Sequence, residues 1–183
     1  MKYQPLESGH LYHIFNKGNN RETIFKEPKN YIYFLSLIKK YLLNDMELFA
    51  YCLMPNHFHF VLKINESSKN PSRLLSNLFN AYSKSINKMY NREGSLFKDR
   101  FSRKKVEDEI YLKKLIIYVH TNPLHHGFDE PFNQYKYSSY KSYIENDAYL
   151  VKFENIKDLF FDLDNFEYCH HEKEMQQSYQ FEE

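Results

Sequence analysis

The chain has 183 residues, of which 42% are hydrophobic and 18% aromatic, which is enough for one domain with a sizeable core and a tail. No apolar run is long enough to cross a membrane, and the N-terminal residues lack the apolar run of a signal peptide, so we expect a cytoplasmic protein with no membrane partner. The two cysteines, Cys52 and Cys169, are too few for a disulfide framework.

The net charge of +1 conceals a strong asymmetry along the chain. Residues 1–127 carry 20 Lys and Arg against 11 Asp and Glu, a net charge of +9. Residues 128–183 carry 5 against 13, a net charge of −8. A basic body predicts a polyanionic partner such as nucleic acid, although uneven charge that serves only solubility is the alternative.

The first half of the chain predicts a strand, a helix and a hairpin. Residues 10–16 alternate as a strand does, and the apolar spacing of residues 28–43 fits a helix. Residues 46–53 and 57–64 read as two strands joined by the turn at residues 54–56. The second arm of this hairpin begins with a histidine.

The second half adds two helices and one more strand. Residues 71–90 have the apolar spacing of a long helix, and residues 95–106 read as a strand or extended segment dense in positive charge. Asp108 is a candidate N-cap for a helix over about residues 109–120, which Asn122-Pro123 should terminate, since the residue before a proline avoids the α conformation.

The predicted order β-α-β-β-α-β indicates an α+β fold of the ferredoxin-like split β-α-β type, an antiparallel sheet with helices packed on one face. The other face is then available for a site. Residues 131–143 are aromatic and rich in turns, and Ile156, Leu159, Phe160 and Leu163 have helical spacing. We therefore expect a domain of residues 1–145 and an acidic, partly helical C-terminal tail of residues 146–183.

His57 and His59 stand two residues apart in a predicted strand, so their side chains should share one face while Phe58 and Phe60 enter the core. Such a pair could chelate a metal ion, or it could be two polar-face histidines on a half-buried strand. A catalytic divalent ion would need a further protein ligand; Mg²⁺ and Mn²⁺ favour oxygen donors, and Mn²⁺ accepts imidazole.

Tyr118 and Asn122 are four residues apart and should lie on one helical face. The amide oxygen of Asn122 could supply the missing ligand. The phenolate of Tyr118 could attack phosphorus, provided that its proton is removed as it attacks, because the pKa of free Tyr is near ~10. In a tyrosine-rich chain Tyr118 could equally be a core or surface residue, and Tyr111 competes as the nucleophile.

Six segments give the chain a family resemblance. In order, they are YHIFNKGNNRETIF, YCLMPNHFHFVL, NREGSLFKDRF, VEDEIYL, YVHTNPLHHGF and YKYSSYKSY, and together they span roughly residues 10–143. With these segments the chain resembles the single-tyrosine HUH transposases of insertion sequences, and within them the REP-associated tyrosine transposase group. The resemblance implies that residues 1–145 form a nuclease core that acts on single-stranded DNA next to DNA hairpins.

The resemblance also implies roles for individual residues. His57 and His59 match the family's metal-binding pair, Asn122 matches its third ligand for Mg²⁺ or Mn²⁺, and Tyr118 matches its nucleophile. Tyr111 aligns with a tyrosine that often opens the same helix. In the family mechanism the tyrosine becomes joined to the 5′ end of the cut DNA, and a 3′-OH later rejoins the strands without ATP.

Seven basic residues are the candidate phosphate contacts, although each could be an ordinary solvated charge. They are Lys17, Arg21, Lys98, Arg100, Arg103, Lys104 and Lys105. Relatives include monomers and dimers, so a homodimer is one expectation. Two other functions stay open: a nucleic-acid-binding ferredoxin-like module that has lost catalysis, and a metal-dependent hydrolase that uses water.

Overall fold

The structure is a computed structural model that describes residues 5–172. Its centre is an antiparallel sheet of four strands, β1 (Leu11–Lys17), β2 (Met46–Met54), β3 (His57–Ile64) and β4 (Ser102–Lys105), in the spatial order β2-β3-β1-β4. This order is that of the ferredoxin-like split β-α-β plan, so the predicted fold class is confirmed. Among residues 5–172, no helix combines the length and the apolar character that crossing a membrane requires.

Helices α1 (Pro28–Tyr41) and α2 (Pro71–Met89) cover one face of the sheet. Phe58 and Phe60 of β3 are fully buried beneath them, and the Phe58 ring centroid lies 5.5 Å from that of Phe34 and 5.2 Å from that of Phe79. Alternation along β3 turns the intervening histidines to the opposite face.

Helix α3 (Glu109–His125) lies on that opposite face. It begins as predicted, since the Asp108 carboxylate accepts a hydrogen bond of 2.7 Å from the backbone N–H of Tyr111. The predicted end at Pro123 is wrong, because the helix continues to His125. A proline ring fixes φ near its helical value and removes only one N–H donor. Asn122 is fully buried, and its packing outweighs the tendency of a residue before proline to avoid the helical conformation.

The chain after α3 returns along the outer edge of β2. The N–H of Leu53 donates to the carbonyl of Tyr137, the N–H of Ser139 donates to the carbonyl of Tyr51, and Val151 forms a bridge with Leu48. Helix α4 (Tyr140–Ile144) lies within this returning segment.

The helical spacing predicted in the tail is divided between two short helices, α5 (Lys157–Phe160) and α6 (Leu163–His171). Phe161 has a φ of 62° and a ψ of −55°, and the N–H of Asp162 donates to the carbonyl of Phe160 across it, a γ-turn that ends α5. The Asp162 side chain caps α6. Helix α6 packs on α3. The boundary between residues 145 and 146 stays a prediction, and residues 173–183 of the predicted tail lie outside the described residues.

Candidate functional site

His57 and His59 project from the same face of β3 and are both buried. Their ring centroids lie 5.2 Å apart and the ring planes are nearly perpendicular, at 86°. The structure therefore places the pair as the alternation of the strand predicts.

Helix α3 brings the two other predicted residues to this pair. Oδ1 of Asn122 lies 2.9 Å from Nε2 of His57, and Asn122 is fully buried. One helical turn earlier, the Tyr118 ring centroid lies 5.6 Å from that of His59. The fold thus brings together side chains of β3 and α3, although His57 and Tyr118 are 61 residues apart in the sequence.

Hydrogen bonds at Nδ1 orient both imidazoles. Nδ1 of His57 donates to Oδ1 of Asn56 at 2.7 Å, because an amide oxygen can only accept. Nδ1 of His59 lies 2.9 Å from Nε2 of His13. Metal-ligating histidines in proteins are usually held in this way, through the nitrogen that does not bind the metal.

This arrangement fits a divalent cation. A neutral imidazole carries one proton, yet both nitrogens of His57 face amide oxygens that only accept, Oδ1 of Asn56 and Oδ1 of Asn122. When the proton is directed to Asn56, Nε2 presents an electron pair to Oδ1 of Asn122, which also carries electron pairs. Two electron-pair donors that face one another in a buried site require a hydrogen or a cation between them. His57 and Asn122, together with His59, supply the imidazole and amide-oxygen ligands that Mn²⁺ accepts, and the oxygen that Mg²⁺ prefers.

Three further histidines lie at the site and were not predicted from the sequence: His13, His125 and His126. His13 reaches His59 because β1 pairs with β3 in a register that sets Phe15 opposite His59. The ring centroid of His126 lies 4.5 Å from that of His57, and that of His125 lies 5.3 Å from that of Tyr118. His125 and His126 follow Asn122 closely in the sequence, and this proximity could have indicated that they lie near the site.

Tyr111 lies seven residues, and therefore two helical turns, before Tyr118. Its ring centroid lies 5.9 Å from Nζ of Lys104. Partial burial, and then the negative charge of Glu107, raise the pKa of the Tyr111 phenol, which disfavours its phenolate. Tyr118 rather than Tyr111 lies beside the two histidines.

Three of the seven candidate phosphate contacts line a cleft that opens onto the histidine pair. The cleft has a volume of about 440 Å³ and includes Lys17, Lys98 and Arg100. The N–H of Lys98 donates to the carbonyl of Lys17 at 2.8 Å, so backbone pairing holds the two lysines together. The cleft sets these three cations against the one carboxylate of Asp99, so a polyanion there would meet net positive charge within reach of His57 and His59.

The other four candidates lie elsewhere. Alternation along β4 directs Lys104 to the histidine face and directs Arg103 and Lys105 to the opposite face. Arg103 donates to Oγ of Ser72 at 3.2 Å, and Nζ of Lys105 lies 2.7 Å from a carboxylate oxygen of Glu7. Arg21 is exposed in the 3₁₀ turn Asn19–Arg21. The basic patch predicted from the sequence is therefore divided among several surfaces.

Comparison with known proteins gives matches for the part of the chain that holds this site. The family model of IS200-like transposases matches residues 7–122. A protein of Haemophilus influenzae described as a REP-associated tyrosine transposase is 23% identical over 112 residues, which are 56% of this chain and 64% of the relative. The match thus spans less than two thirds of that relative's length.

A solved structure of a REP-associated tyrosine transposase bound to a REP hairpin has the same fold. It superposes with a TM-score of 0.68 at 14% sequence identity, over 79% of this chain and 85% of that one. His57, His59, Tyr118 and Asn122 all fall within the residues matched by the family model, whereas α4, α5 and α6 lie beyond them.

Proposed function

The chain belongs to the IS200-like transposase family, and on this premise we propose that it cuts and rejoins single-stranded DNA, with Tyr118 as the nucleophile. The observation that carries the proposal is the meeting of Tyr118 with His57, His59 and Asn122. A module that only binds DNA would need a basic surface but has no need for this convergence.

We propose that the imidazoles of His57 and His59 and the amide oxygen of Asn122 hold Mg²⁺ or Mn²⁺. When bound, such an ion polarises the scissile phosphate and stabilises the negative charge that develops on it. The hydrogen bonds that the two rings make to Asn56 and His13 fix their orientation before the ion arrives. Preorganised ligands reduce the cost of ordering the site.

Tyr118 carries out the covalent chemistry. Its hydroxyl oxygen attacks the phosphorus and loses its proton, a Tyr–O–P bond forms, and the bond between phosphorus and the 3′ oxygen breaks. The departing oxygen gains a proton and becomes a 3′-OH. Attack by another 3′-OH on the phosphotyrosine reverses these bond changes, rejoins a strand and returns the phenol. One phosphoester replaces another in each step, so ATP is not required.

The cleft of Lys17, Lys98 and Arg100 is the proposed path of the DNA backbone, because cations that neutralise phosphates position nucleic acid without reading its sequence. The structural neighbour is bound to a REP hairpin, and we propose a DNA hairpin beside the cut as the partner of this chain too. Lys104, on the histidine face of β4, could extend this path.

The proposal is tested with a hairpin DNA that has a single-stranded flank and a label on its 3′ side. The DNA is incubated with the protein and Mg²⁺ or Mn²⁺, and the mixture is denatured. We expect a labelled protein–DNA adduct that is lost in Tyr118→Phe and retained in Tyr111→Phe, with hairpin binding unchanged in both.

Three outcomes would replace the proposal. Binding without cleavage would indicate the module that has lost catalysis. Cleavage without an adduct would indicate a hydrolase that uses water. An adduct that survives Tyr118→Phe but disappears in Tyr111→Phe would assign the nucleophile to Tyr111.

A further inference from the structure

The back of helix α3 carries a buried histidine between the nucleophile and the third ligand. His120 lies two residues from both Tyr118 and Asn122, which at about 100° per residue places it on the opposite side of the helix from them. Its side chain is fully buried, on the side of α3 that meets Ser139 and α6. Whatever holds His120 therefore also sets the rotation of α3 about its own axis.

A continuous series of hydrogen bonds holds His120 from both sides. Its Nδ1 lies 2.8 Å from Nε2 of His170 in α6, and its Nε2 lies 2.7 Å from Oγ of Ser139. At the two ends, Nδ1 of His170 lies 2.7 Å from the carbonyl oxygen of Phe166, and Oγ of Ser139 lies 2.9 Å from the backbone nitrogen of Tyr51 in β2.

Burial without a carboxylate in the series keeps both imidazoles neutral, and the carbonyl of Phe166 then fixes the position of every proton. A carbonyl oxygen only accepts, so Nδ1 of His170 carries the proton and its Nε2 accepts from Nδ1–H of His120. Nε2 of His120 then accepts from the hydroxyl of Ser139, whose oxygen accepts from the N–H of Tyr51. Both neutral imidazoles therefore carry their proton on Nδ1.

The Ser139 hydroxyl lies 2.7 Å from Nε2 of His120 and 3.4 Å from the carbonyl oxygen of Tyr51, so its shorter hydrogen bond is the one to His120, and the series runs from β2 to α6. Such a fully paired buried network is rigid, because any rotation of a member leaves a buried polar atom unpaired, which is costly away from water. Burial lowers the pKa of His170 to about 3, so this ring is stable in its neutral state.

We propose that His170 is a positioning residue, which acts through His120 to set the rotation of α3 that turns Tyr118 and Asn122 toward His57 and His59. The C-terminal helix α6, which lies beyond the residues matched by the family model, would then help to position the residues of the site. The proposal rests on the proposed function where it concerns catalysis, but the arrangement of the protons can be tested separately.

The first experiment compares three variants of the full chain. His170→Leu removes the bond to His120, and His170→Gln retains an acceptor oxygen near the position of Nε2. His171→Leu makes the same change at an exposed neighbour. With saturating hairpin DNA, we expect the rate of adduct formation to fall about tenfold or more in His170→Leu, because a small misplacement of a reacting group is costly.

The affinity for the hairpin should stay within about twofold, since His170 lies away from the cleft, and His170→Gln should recover most of the rate. His171→Leu should behave as the unaltered protein does. Equal rates of adduct formation in His170→Leu and His171→Leu would overturn the proposal. So would a His170→Leu variant that binds the hairpin more weakly but forms the adduct at the unaltered rate when saturated with DNA.

The second experiment does not depend on activity or on the folding of a variant. Nitrogen-15 NMR of the unaltered protein should show both His120 and His170 as neutral rings protonated on Nδ1. A ring protonated on Nε2 in either residue would overturn the proton arrangement. If the protons are found as expected but no adduct forms with any DNA, the proposed function fails while the buried series stands.

Discussion

Nε2 of His13 lies 2.9 Å from Nδ1 of His59, so a residue of β1 orients a histidine of β3. His13→Leu should therefore raise the Mn²⁺ concentration that half-saturates adduct formation by about 10–100-fold, the usual effect of losing the partner of a metal ligand. His13→Gln, which can still accept from Nδ1–H of His59, should cost much less. Manganese titration at a fixed DNA concentration measures both, and equal effects of the two changes would contradict the assignment.

Asn122 should tolerate a carboxylate better than a methyl group. Asn122→Asp keeps an oxygen at the proposed ligand position, whereas Asn122→Ala removes it. Without metal, the buried charge of the Asp variant should lower its melting temperature. Mn²⁺ should then raise the melting temperature of the Asp variant more than that of the Ala variant, because at a given ligand concentration the stabilisation grows with the logarithm of that concentration divided by Kd, and the Asp variant has the lower Kd. Thermal denaturation with and without Mn²⁺ measures the difference. No metal response in the unaltered protein would remove the metal proposal.

Lys98 and Lys105 should respond differently to removal. Lys98 lines the cleft beside the histidines, whereas Lys105 pairs with Glu7 on the opposite side of β4. Lys98→Ala should reduce the slope of log affinity against log salt by roughly 0.7–0.9, the release of one counterion. Lys105→Ala is the matched control and should leave the slope unchanged. Binding measured at several salt concentrations distinguishes the two, and a smaller slope in both variants would place the DNA across both faces.

Phe58, between the two histidines in sequence, should matter for stability rather than chemistry. It is fully buried among the rings of Phe34, Phe60 and Phe79. Phe58→Ala should lower the free energy of unfolding by about 3–5 kcal/mol through the cavity that it leaves. Phe58→Leu should cost less than half as much. Urea denaturation at equilibrium gives both values, and a loss below about 1 kcal/mol in Phe58→Ala would mean that the site relaxes around the cavity.

The sheet and its two covering helices could be predicted from the sequence, because they follow from the local spacing of apolar residues. The approach of Asn122 to His57 could be predicted from helical spacing and from the resemblance to the transposase family. The alternation of side chains along a strand could also have predicted that Lys104 lies on one face of the sheet and Arg103 and Lys105 on the other. The run of consecutive positive charges suggested a single patch instead.

The contacts of His13 and His170 could not be predicted in the same way. His13 meets His59 only through the register of two strands that are distant in sequence, and His120 meets His170 across 50 residues. Such pairings depend on how completed elements pack. The extension of α3 past Pro123 has the same origin, since packing overrides a local rule.

The protection of both sheet edges bears on self-association. Residues 137–151 occupy the outer edge of β2 through backbone hydrogen bonds and a bridge, so a second copy could add a strand there only by displacing them. The edge at β4 is four residues long and carries three consecutive cations, Arg103, Lys104 and Lys105. Two such edges repel one another and offer few backbone groups to pair. A homodimer of this chain would therefore have to form through helices or loops, and the same two edges should guard the folded protein against amyloid-like stacking.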